Sequence, residues 1–448
     1  MSFCYHKIIK IKNEMKKRKN QKYHRRRGDM DQYLHYIGGP AGALALTGVA
    51  AASAYYLASR PTPEKPLVAL DEQSYVIPGP ELVRTSKFYK DAKEGKFLRY
   101  LYADTRTLYD SFRRGAKEST LLRAKNFGSG LVALGLEPSP KTFIGIYSQN
   151  CPEWVLTEQG AYCFSMVIVP LYDTLGPDAC AYIIKQAEIS VVVCEDDSKC
   201  NLLLDRPPKC LKRLITMKEV RPATNQRAKN RGIEIVKFEE IEHLGAAKQN
   251  KEVPPKVTDV CTICYTSGTT GNPKGVMLSH ENVVAAVVAV IMQLGDHRIN
   301  SKDIMISFLP LAHMLERCCE IGMYMVGGAV GFFSGDVKRL SDDMKVLKPT
   351  VTPAVPRLLN RIYDKVQSDI GNSFIKRTLF NMAMSSKENE IRRGIVRNNS
   401  FWDKLVFRKV QEGMGGRLRL MIVGSAPLAG NVLTFARCAL GCLVRDTM

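Results

Sequence analysis

Residues 265–275 form a segment that is dense in groups able to bind an anion. They read Tyr-Thr-Ser-Gly-Thr-Thr-Gly-Asn-Pro-Lys-Gly, between an apolar run at 260–265 and an apolar helical pattern after Ser279. Glycine lets the backbone approach a ligand and present its N–H groups, hydroxyls add short donors, and Lys274 adds a positive charge. An ordinary Gly/Ser/Thr loop is the alternative, but such loops seldom place so many donors between two buried elements. The segment therefore predicts a polyphosphate site that follows a strand.

The spacing of this segment argues against the P-loop of kinases and ATPases. That motif requires Gly immediately before its Lys and Ser or Thr immediately after it. Here Pro273 precedes Lys274 and Gly275 follows it. A different kind of phosphate-binding loop is expected.

Short apolar runs alternate with longer helical patterns along most of the chain. Such alternation predicts βαβ units, and hence an α/β fold with mostly parallel sheets flanked by helices. The runs predicted to be strands, in addition to 260–265, are 143–147, 167–171, 191–194, 233–238, 303–308 and 417–423.

The run YTSGTTGNPKGVMLS at 265–279 resembles the AMP-binding signature of the adenylate-forming enzymes, which include acyl-CoA synthetases, luciferases and peptide-synthetase adenylation domains. Segments 150–176, 309–317 and 353–365 resemble eukaryotic long-chain fatty acid–CoA ligases, and the resemblance extends from about 69 to 442. It implies the N-terminal large domain of an adenylate-forming enzyme, which activates long-chain fatty acids to acyl-CoA through an acyl-adenylate, with ATP, Mg²⁺ and CoA. A luciferase-like oxidase is the alternative within the superfamily, and the run 356–365 disfavours it.

The resemblance also implies the site residues. The turn after 417–423 is expected to contact adenine, as a glycine at a strand's carboxyl end would. His313 is expected to border the acyl pocket and to help place the carboxylate or the α-phosphate, the alternative being a His that merely caps a strand end. Thr270 is also expected to meet magnesium through the bound phosphates. The residues expected to hold phosphates are Thr266, Ser267, Gly268, Thr269, Thr270, Gly271 and Lys274, and those expected to contact adenine are Gly424, Ser425, Ala426 and Pro427.

Two further segments near His313 leave alternatives open. Glu316 and Arg317 fit either this functional segment or a local surface pair. The Gly-rich apolar segment 318–333 would either line an acyl tunnel or pack in the core.

The N-terminal hundred residues divide into three segments. Residues 1–35 are predicted to be a basic disordered arm, since the first 30 hold eleven Lys or Arg and two acidic residues. Residues 36–59 carry no charge and are long enough to cross a bilayer, which predicts a membrane-anchor helix, with a cleaved signal peptide or a soluble buried helix as alternatives. Residues 60–100 are a Pro-rich lead-in, and 101–448 are the AMP-binding large domain.

Charge and cysteine content indicate which partners and which redox compartment to expect. The net charge is +21, but no folded nucleic-acid reader is recognisable, so no nucleic-acid partner is expected. Thirteen scattered cysteines, with one C-x-x-C inside the strand 260–265 and no second pair nearby, favour buried reduced thiols over a zinc site. The helical, net basic segment 367–412 is predicted to be a solvated or membrane-facing surface.

The membrane assignment follows from the anchor and the resemblance. The partners expected are a lipid bilayer and, through self-association, a further copy or a full-length relative. The positive-inside rule would keep the basic arm in the cytosol. We expect instead that the catalytic domain faces the cytosol, because ATP and CoA are there, at the endoplasmic reticulum membrane or the outer mitochondrial membrane.

The chain stops at Met448, before three features expected from the family: a Tyr-Gly-x-Thr-Glu magnesium motif, an Asp that holds the ribose, and a C-terminal lid domain with a catalytic Lys. The sequence therefore leads us to expect an incomplete, truncated large domain without the lid and with impaired ligase activity. Binding of nucleotide or acyl chain, or pairing with a full-length enzyme, is the alternative function.

Overall fold

The computed structural model describes residues 58–64, 74–77, 83–86, 100–172, 178–267 and 272–446, with single positions between 47 and 55. The predicted arm 1–35 lies outside them, as do most of the anchor segment and of the lead-in, so those boundaries stay predictions. Among the described residues, no helix combines the length and the apolar character needed to span a membrane. The chain divides into two compact units, residues 1–62 with 399–401 and residues 63–398 with 402–448, and the second unit is described below.

A seven-stranded sheet forms the first half of this unit. Its order is β7-β6-β5-β3-β4-β8-β9, and every neighbouring pair is parallel except β8 and β9. The three central strands are buried at nearly every position, as expected when helices cover both faces. The strands are β3 (Phe143–Tyr147), β4 (Val167–Pro170), β5 (Val191–Cys194), β6 (Arg213–Thr216), β7 (Glu234–Lys237), β8 (Val260–Thr266) and β9 (Lys274–Ser279).

A five-stranded sheet forms the second half, and all of its pairs are parallel. Its order is β11-β10-β12-β13-β14. Upstream of both sheets, β1 (Ser74–Ile77) and β2 (Val83–Ser86) form a small antiparallel ribbon within the predicted lead-in. The strands of the second sheet are β10 (Ile304–Ser307), β11 (Ala329–Phe332), β12 (Val351–Ala354), β13 (Leu420–Val423) and β14 (Leu443–Asp446).

Local sequence signals explain where several helices begin and end. The helix Leu108–Gly115 begins after Thr107. The side chains of Thr107 and Asp110 each accept a hydrogen bond from the other residue's backbone N–H. The helix Pro152–Tyr162 has Pro152 in its first turn. The helix Met314–Val326 ends at Gly327, whose backbone is in the left-handed region with φ 74°. The helices are α1 (Leu108–Gly115), α2 (Glu118–Ala133), α3 (Pro152–Tyr162), α4 (Ala179–Gln186), α5 (Asp197–Asp205), α6 (Pro222–Lys229), α7 (Phe238–Ala247), α8 (His280–Gln293), α9 (Met314–Val326), α10 (Leu340–Leu347), α11 (Pro356–Ile370), α12 (Phe374–Arg392), α13 (Arg408–Gly413) and α14 (Gly430–Leu440).

One hydrophobic core joins the two sheets. It includes Ile144 and Ile168 of the first sheet together with Met305 and Val351 of the second. Helix α3 is buried at almost every position, so it lies within this core. The prediction of an α/β fold with mostly parallel sheets is confirmed, and the shared core fixes the sheets relative to each other.

The C-x-x-C cysteines lie inside β8, as the sequence predicted. Cys261 and Cys264 are buried and not disulfide-bonded. Burial raises the pKa of the Cys261 thiol to about 12, and its Sγ donates to the Leu278 carbonyl. Among the described residues no group of three His, Cys, Asp or Glu side chains is placed to hold a metal ion. These cysteines act as small core residues.

His280, the first residue of α8, is held neutral in the core. The Leu108 N–H donates to its Nδ1 at 3.2 Å, and the Tyr162 ring meets it edge-on at 5.0 Å. Burial, and secondarily the charge on Arg317, lowers the pKa of His280 from 6.5 to about 3.

This histidine is expected to make the protein sensitive to acid. Below pH about 6.5 the unfolded chain takes up a proton that the folded chain refuses until about pH 3, so its stabilisation is complete above 6.5 and is lost as the pH falls. A His280→Gln variant keeps an acceptor for Leu108 but lacks this titration. Between pH 7 and 4.5 we expect its free energy of unfolding in urea to fall by about 2–3 kcal/mol less than that of the wild type. Equal pH slopes for the two proteins would contradict the assignment.

Candidate functional site

The predicted phosphate segment is the tip of a β-hairpin. Strands β8 and β9 pair antiparallel up to Thr266 opposite Lys274. Thr266, Ser267 and Lys274 are exposed at this tip, whereas Tyr265 just before it is buried. Two hydroxyls and one ammonium group therefore face solvent together, as an anion site requires. The other residues predicted to hold phosphates, Gly268, Thr269, Thr270 and Gly271, lie outside the described residues.

The hairpin corrects one feature of the expected local structure. The strand before the loop and the helix after Ser279 are confirmed, since α8 begins at His280 with Ser279 as its N-cap. The Ser279 side chain accepts from the Asn282 N–H at 3.2 Å, which fixes this start. Strand β9 lies between loop and helix and was not predicted. The Val-Met-Leu run at 276–278 was the available signal for it.

Tyr172 connects the hairpin to His313. Its hydroxyl donates to the backbone oxygen of Tyr265 at 2.6 Å, and its ring meets the His313 ring edge-on, with centroids 5.1 Å apart. Because Tyr172 follows β4, the neighbour of β8, the parallel sheet places it beside the base of the hairpin. Desolvation lowers the pKa of His313, so its imidazole is neutral at neutral pH. The sequence predicted His313 but not Tyr172.

Asn150 joins the carboxyl ends of the two sheets. Its Nδ2 donates to Ser307 Oγ at 2.8 Å and to the Leu309 carbonyl at 2.7 Å, and its Oδ1 accepts from the Leu311 N–H at 3.1 Å. Asn150 follows β3, and Ser307 ends β10. One buried amide therefore fixes the loop that leads into His313. The sequence indicated Asn150 only as the residue before a helix, because its partners lie about 160 positions away.

The predicted adenine turn lies at the carboxyl end of β13. The Gly424 N–H donates to the carbonyl of Ala354, at the end of neighbouring β12, at 3.3 Å. Ser425, Ala426 and Pro427 are exposed. Ser425 has φ 75°, a left-handed conformation that is uncommon for a residue with a side chain and is concentrated at functional sites. The turn therefore opens at the same edge of the second sheet as the loop after β10.

A buried ion pair supports this edge from within. Arg317 on α9 and Glu158 on α3 are 1% and 3% exposed, and the Arg317 Nε donates to the carboxylate at 3.0 Å. The guanidinium also donates to the Tyr162 hydroxyl at 3.1 Å and to Thr262 Oγ1 of β8 at 2.9 Å. The alternative of a local surface pair between Glu316 and Arg317 is wrong, because both are buried and Arg317 bonds to Glu158.

Two further carboxyl groups lie on the same helix, next to β10. Glu316 accepts from the Phe308 N–H at 3.1 Å, and Glu320 accepts from the Tyr324 hydroxyl at 2.6 Å. Burial raises the pKa of Glu320 to about 7. Burial and the nearby Glu320 raise the pKa of Glu316 well above its usual range. Glu316 is therefore held protonated near neutral pH and Glu320 is partly protonated there, as expected for buried carboxyl groups without a cation partner.

The Gly-rich segment 318–333 forms most of α9 and the whole of β11. Cys318 and Gly322 line an apolar cavity of about 40 Å³ between α8 and α9, closed by Ile291 and Met305. A cavity of this size holds only a few water-sized groups. In this structure the segment packs in the core and leaves this small cavity beside Cys318 and Gly322.

These features define a class of protein: an α/β enzyme fold with a hydroxyl- and glycine-rich hairpin beside the carboxyl ends of parallel strands, where such folds bind nucleotides. A model of the AMP-binding enzyme family matches residues 117–447. The chain therefore belongs to the AMP-binding enzyme family, as the signature at 265–279 indicated.

Comparison with individual proteins gives the same family. The chain is 44% identical to long-chain-fatty-acid–CoA ligase 5 of Rattus norvegicus over 87% of its own length and 60% of that protein. It is 42% identical to long-chain-fatty-acid–CoA ligase 1 of Homo sapiens over 92% of its length and 62% of that protein. The chain thus spans about 60% of the length of the curated relatives it matches.

A solved structure shares the fold. The A domain of carboxylic acid reductase from Segniliparus rugosus, in complex with AMP and a co-purified carboxylic acid, matches with a TM-score of 0.57 and 18% identity. The match covers 73% of this chain and 51% of that chain.

Proposed function

We propose that this chain acts in the ATP-dependent activation of long-chain fatty acids to acyl-CoA. The observation that carries the proposal is the link from the exposed hairpin tip, through the Tyr172 hydroxyl, to His313. The names of the relatives, long-chain-fatty-acid–CoA ligases, supply the substrate class. In the reaction the fatty carboxylate attacks the α-phosphorus of ATP and releases pyrophosphate. The CoA thiol then attacks the acyl carbon and releases AMP.

The described residues divide the work of binding and orientation. Thr266, Ser267 and Lys274 hold the phosphates, and the turn 424–427 contacts the adenine. His313, neutral at its position, donates one hydrogen bond to the carboxylate or α-phosphate without adding charge. Tyr172 fixes the position of His313 relative to the hairpin, so that the fatty acid and ATP meet in one orientation.

The described residues fit a magnesium ion that is held mainly by the phosphates of the nucleotide. Mg²⁺ in such sites is held by one or two carboxylates and by substrate phosphates. The described tip offers hydroxyls instead of carboxylates, and no three-ligand group lies among the described residues. The ion would therefore be held by the phosphates of the bound nucleotide, where it would neutralise negative charge, and Thr270 remains the residue expected from the resemblance to meet it.

The membrane setting is a further part of the proposal. Residues 36–59 contain no charge over 24 positions, which supports an anchor. The cytosolic supply of ATP and CoA supports a catalytic domain on the cytosolic face of the endoplasmic reticulum or outer mitochondrial membrane. We also propose that copies of the chain associate with each other in that membrane. Protease protection of the full chain in microsomes and mitochondria tests the orientation: cleavage of 101–448 in sealed vesicles supports it, and protection refutes it.

The nucleotide site is tested by Lys274→Ala. Loss of a charge-assisted contact is expected to cost about 1.5–3 kcal/mol, which is roughly a 10- to 150-fold weaker affinity for ATP. Equilibrium dialysis with ATP and magnesium measures it, and Lys248→Ala, at another exposed lysine, is the matched control. An unchanged affinity in Lys274→Ala would contradict the assignment. Palmitate-dependent formation of AMP by the wild type then tests the reaction itself.

A further inference from the structure

A second groove, of about 360 Å³, lies between α10, α11 and α13. None of the residues that line it belongs to the candidate site. Its floor is apolar: Leu340, Met344 and Met414 are buried there, and Ile362 and Val366 are half-buried along one wall. A volume of this size is within the range of small-molecule sites.

Four cations surround this floor. Lys338, Arg361, Lys365 and Lys409 line the groove and are exposed. Within the described part of the chain, none of these four side chains has an ion-pair or hydrogen-bond partner. A fifth cation, Lys345, pairs with Asp342 at 3.1 Å.

The rim also carries one carboxylate, that of Asp369. One anion against four unpaired cations leaves a net positive rim, and a cleft lined by one sign of charge concentrates ligands of the opposite sign.

Floor and rim together select a ligand with two parts. A nucleotide alone would leave the apolar floor in water, and a hydrocarbon alone would leave the cations without a partner. A free fatty acid brings a single negative charge to four cations. A long-chain acyl-CoA brings an alkyl chain and a head group with three phosphates, so it satisfies both the floor and the rim.

We infer that this groove, which we call the α10–α13 groove, is a second, non-catalytic binding site for long-chain acyl-CoA. The inference rests on the proposed function, because it assigns the groove to the product of that reaction. It gives the chain a place to retain the product apart from the nucleotide hairpin.

The test is binding of radiolabelled palmitoyl-CoA by the full chain, in equilibrium dialysis without ATP and below the micellar concentration. The groove variant carries Lys338→Gln, Arg361→Gln, Lys365→Gln and Lys409→Gln. It is expected to bind palmitoyl-CoA about tenfold or more weakly and to lose most of the salt dependence of binding. The matched control changes four exposed lysines elsewhere to Gln, at Lys117, Lys209, Lys229 and Lys248, and is expected to bind as the wild type does.

Three further probes identify the ligand. CoA alone and palmitate alone are each expected to bind the groove at least about tenfold more weakly than palmitoyl-CoA, since each satisfies half of it. The third probe is phosphatidylserine vesicles. If the groove variant loses capture by these vesicles but binds palmitoyl-CoA as the wild type does, the inference is overturned in favour of an acidic lipid. Wild-type affinity of the groove variant for palmitoyl-CoA would overturn it outright.

Failure of the groove and failure of the proposed function are separable. Palmitoyl-CoA binding that persists in Lys274→Ala and is lost in the groove variant supports the groove. Wild-type protein that binds no ATP but shows groove-dependent palmitoyl-CoA binding would refute only the nucleotide site.

Discussion

Replacing Arg317 by methionine is expected to destabilise the protein by about 3–5 kcal/mol. The substitution leaves the Glu158 carboxylate buried without its cation, and removes the donors to Tyr162 and Thr262. Methionine fills much of the volume, so the loss reports the stranded charge more than a cavity. The urea midpoint, with the slope of the transition unchanged, measures the effect.

Two further variants show whether the loss of stability comes from the stranded charge. The double variant Arg317→Met with Glu158→Gln removes both charges, so it is expected to regain a large part of the lost stability. Arg206→Met breaks an exposed pair, in which Arg206 and Asp178 are 80% and 75% accessible, and is expected to cost at most about 1 kcal/mol. If Arg317→Met cost no more than Arg206→Met, the buried pair would not stabilise the fold as argued.

Replacing Gly245 by alanine is the second large effect. A Cβ at this position on α7 would lie 1.7 Å from the Asn126 carbonyl oxygen and 2.5 Å from the Gly130 nitrogen of α2. Both are backbone atoms of a packed helix, so neither can move aside alone. Separating the helices would also weaken the stacked contact of Phe127 with Phe238, whose centroids are 4.2 Å apart. We expect destabilisation of about 3 kcal/mol or more.

The control for Gly245 is Gly430, at the start of α14. A Cβ there meets nothing within 4 Å, so Gly430→Ala is expected to change stability by no more than about 0.5 kcal/mol. Soluble yield and the urea midpoint compare the two variants. Soluble Gly245→Ala protein with a wild-type midpoint would show that α2 and α7 lie farther apart than described.

The sequence predicted those strands whose apolar runs are continuous. Strands β3 and β5 match the predicted 143–147 and 191–194 because buried parallel strands are apolar at every position. Strand β12 was missed because Pro353 and Thr352 interrupt its pattern, although it lies buried between β10 and β13. Strand β6 was missed for a similar reason, since it begins with Arg213.

The candidate site was predictable only where its chemistry is local. The hairpin tip and His313 stand in contiguous motifs, so their residue types were enough to predict the roles that we propose for them. Asn150 and the pair of Glu158 with Arg317 act across about 160 residues, and nothing near them in the sequence names the partner. Arg317 followed Glu316, and so it fitted a local surface pair until the fold showed it buried.

The bond from Tyr172 to the hairpin has a consequence for which substitutions in this chain would preserve the contact. Its acceptor is the backbone oxygen of Tyr265, which every amino acid carries. A substitution of Tyr265 that leaves β8 in place therefore retains this acceptor, although it removes the hydrogen bond that the Tyr265 hydroxyl donates to Gln186 at 2.9 Å. Position 172 has no such freedom, because the donor is a phenolic hydroxyl and the contact with His313 requires its ring.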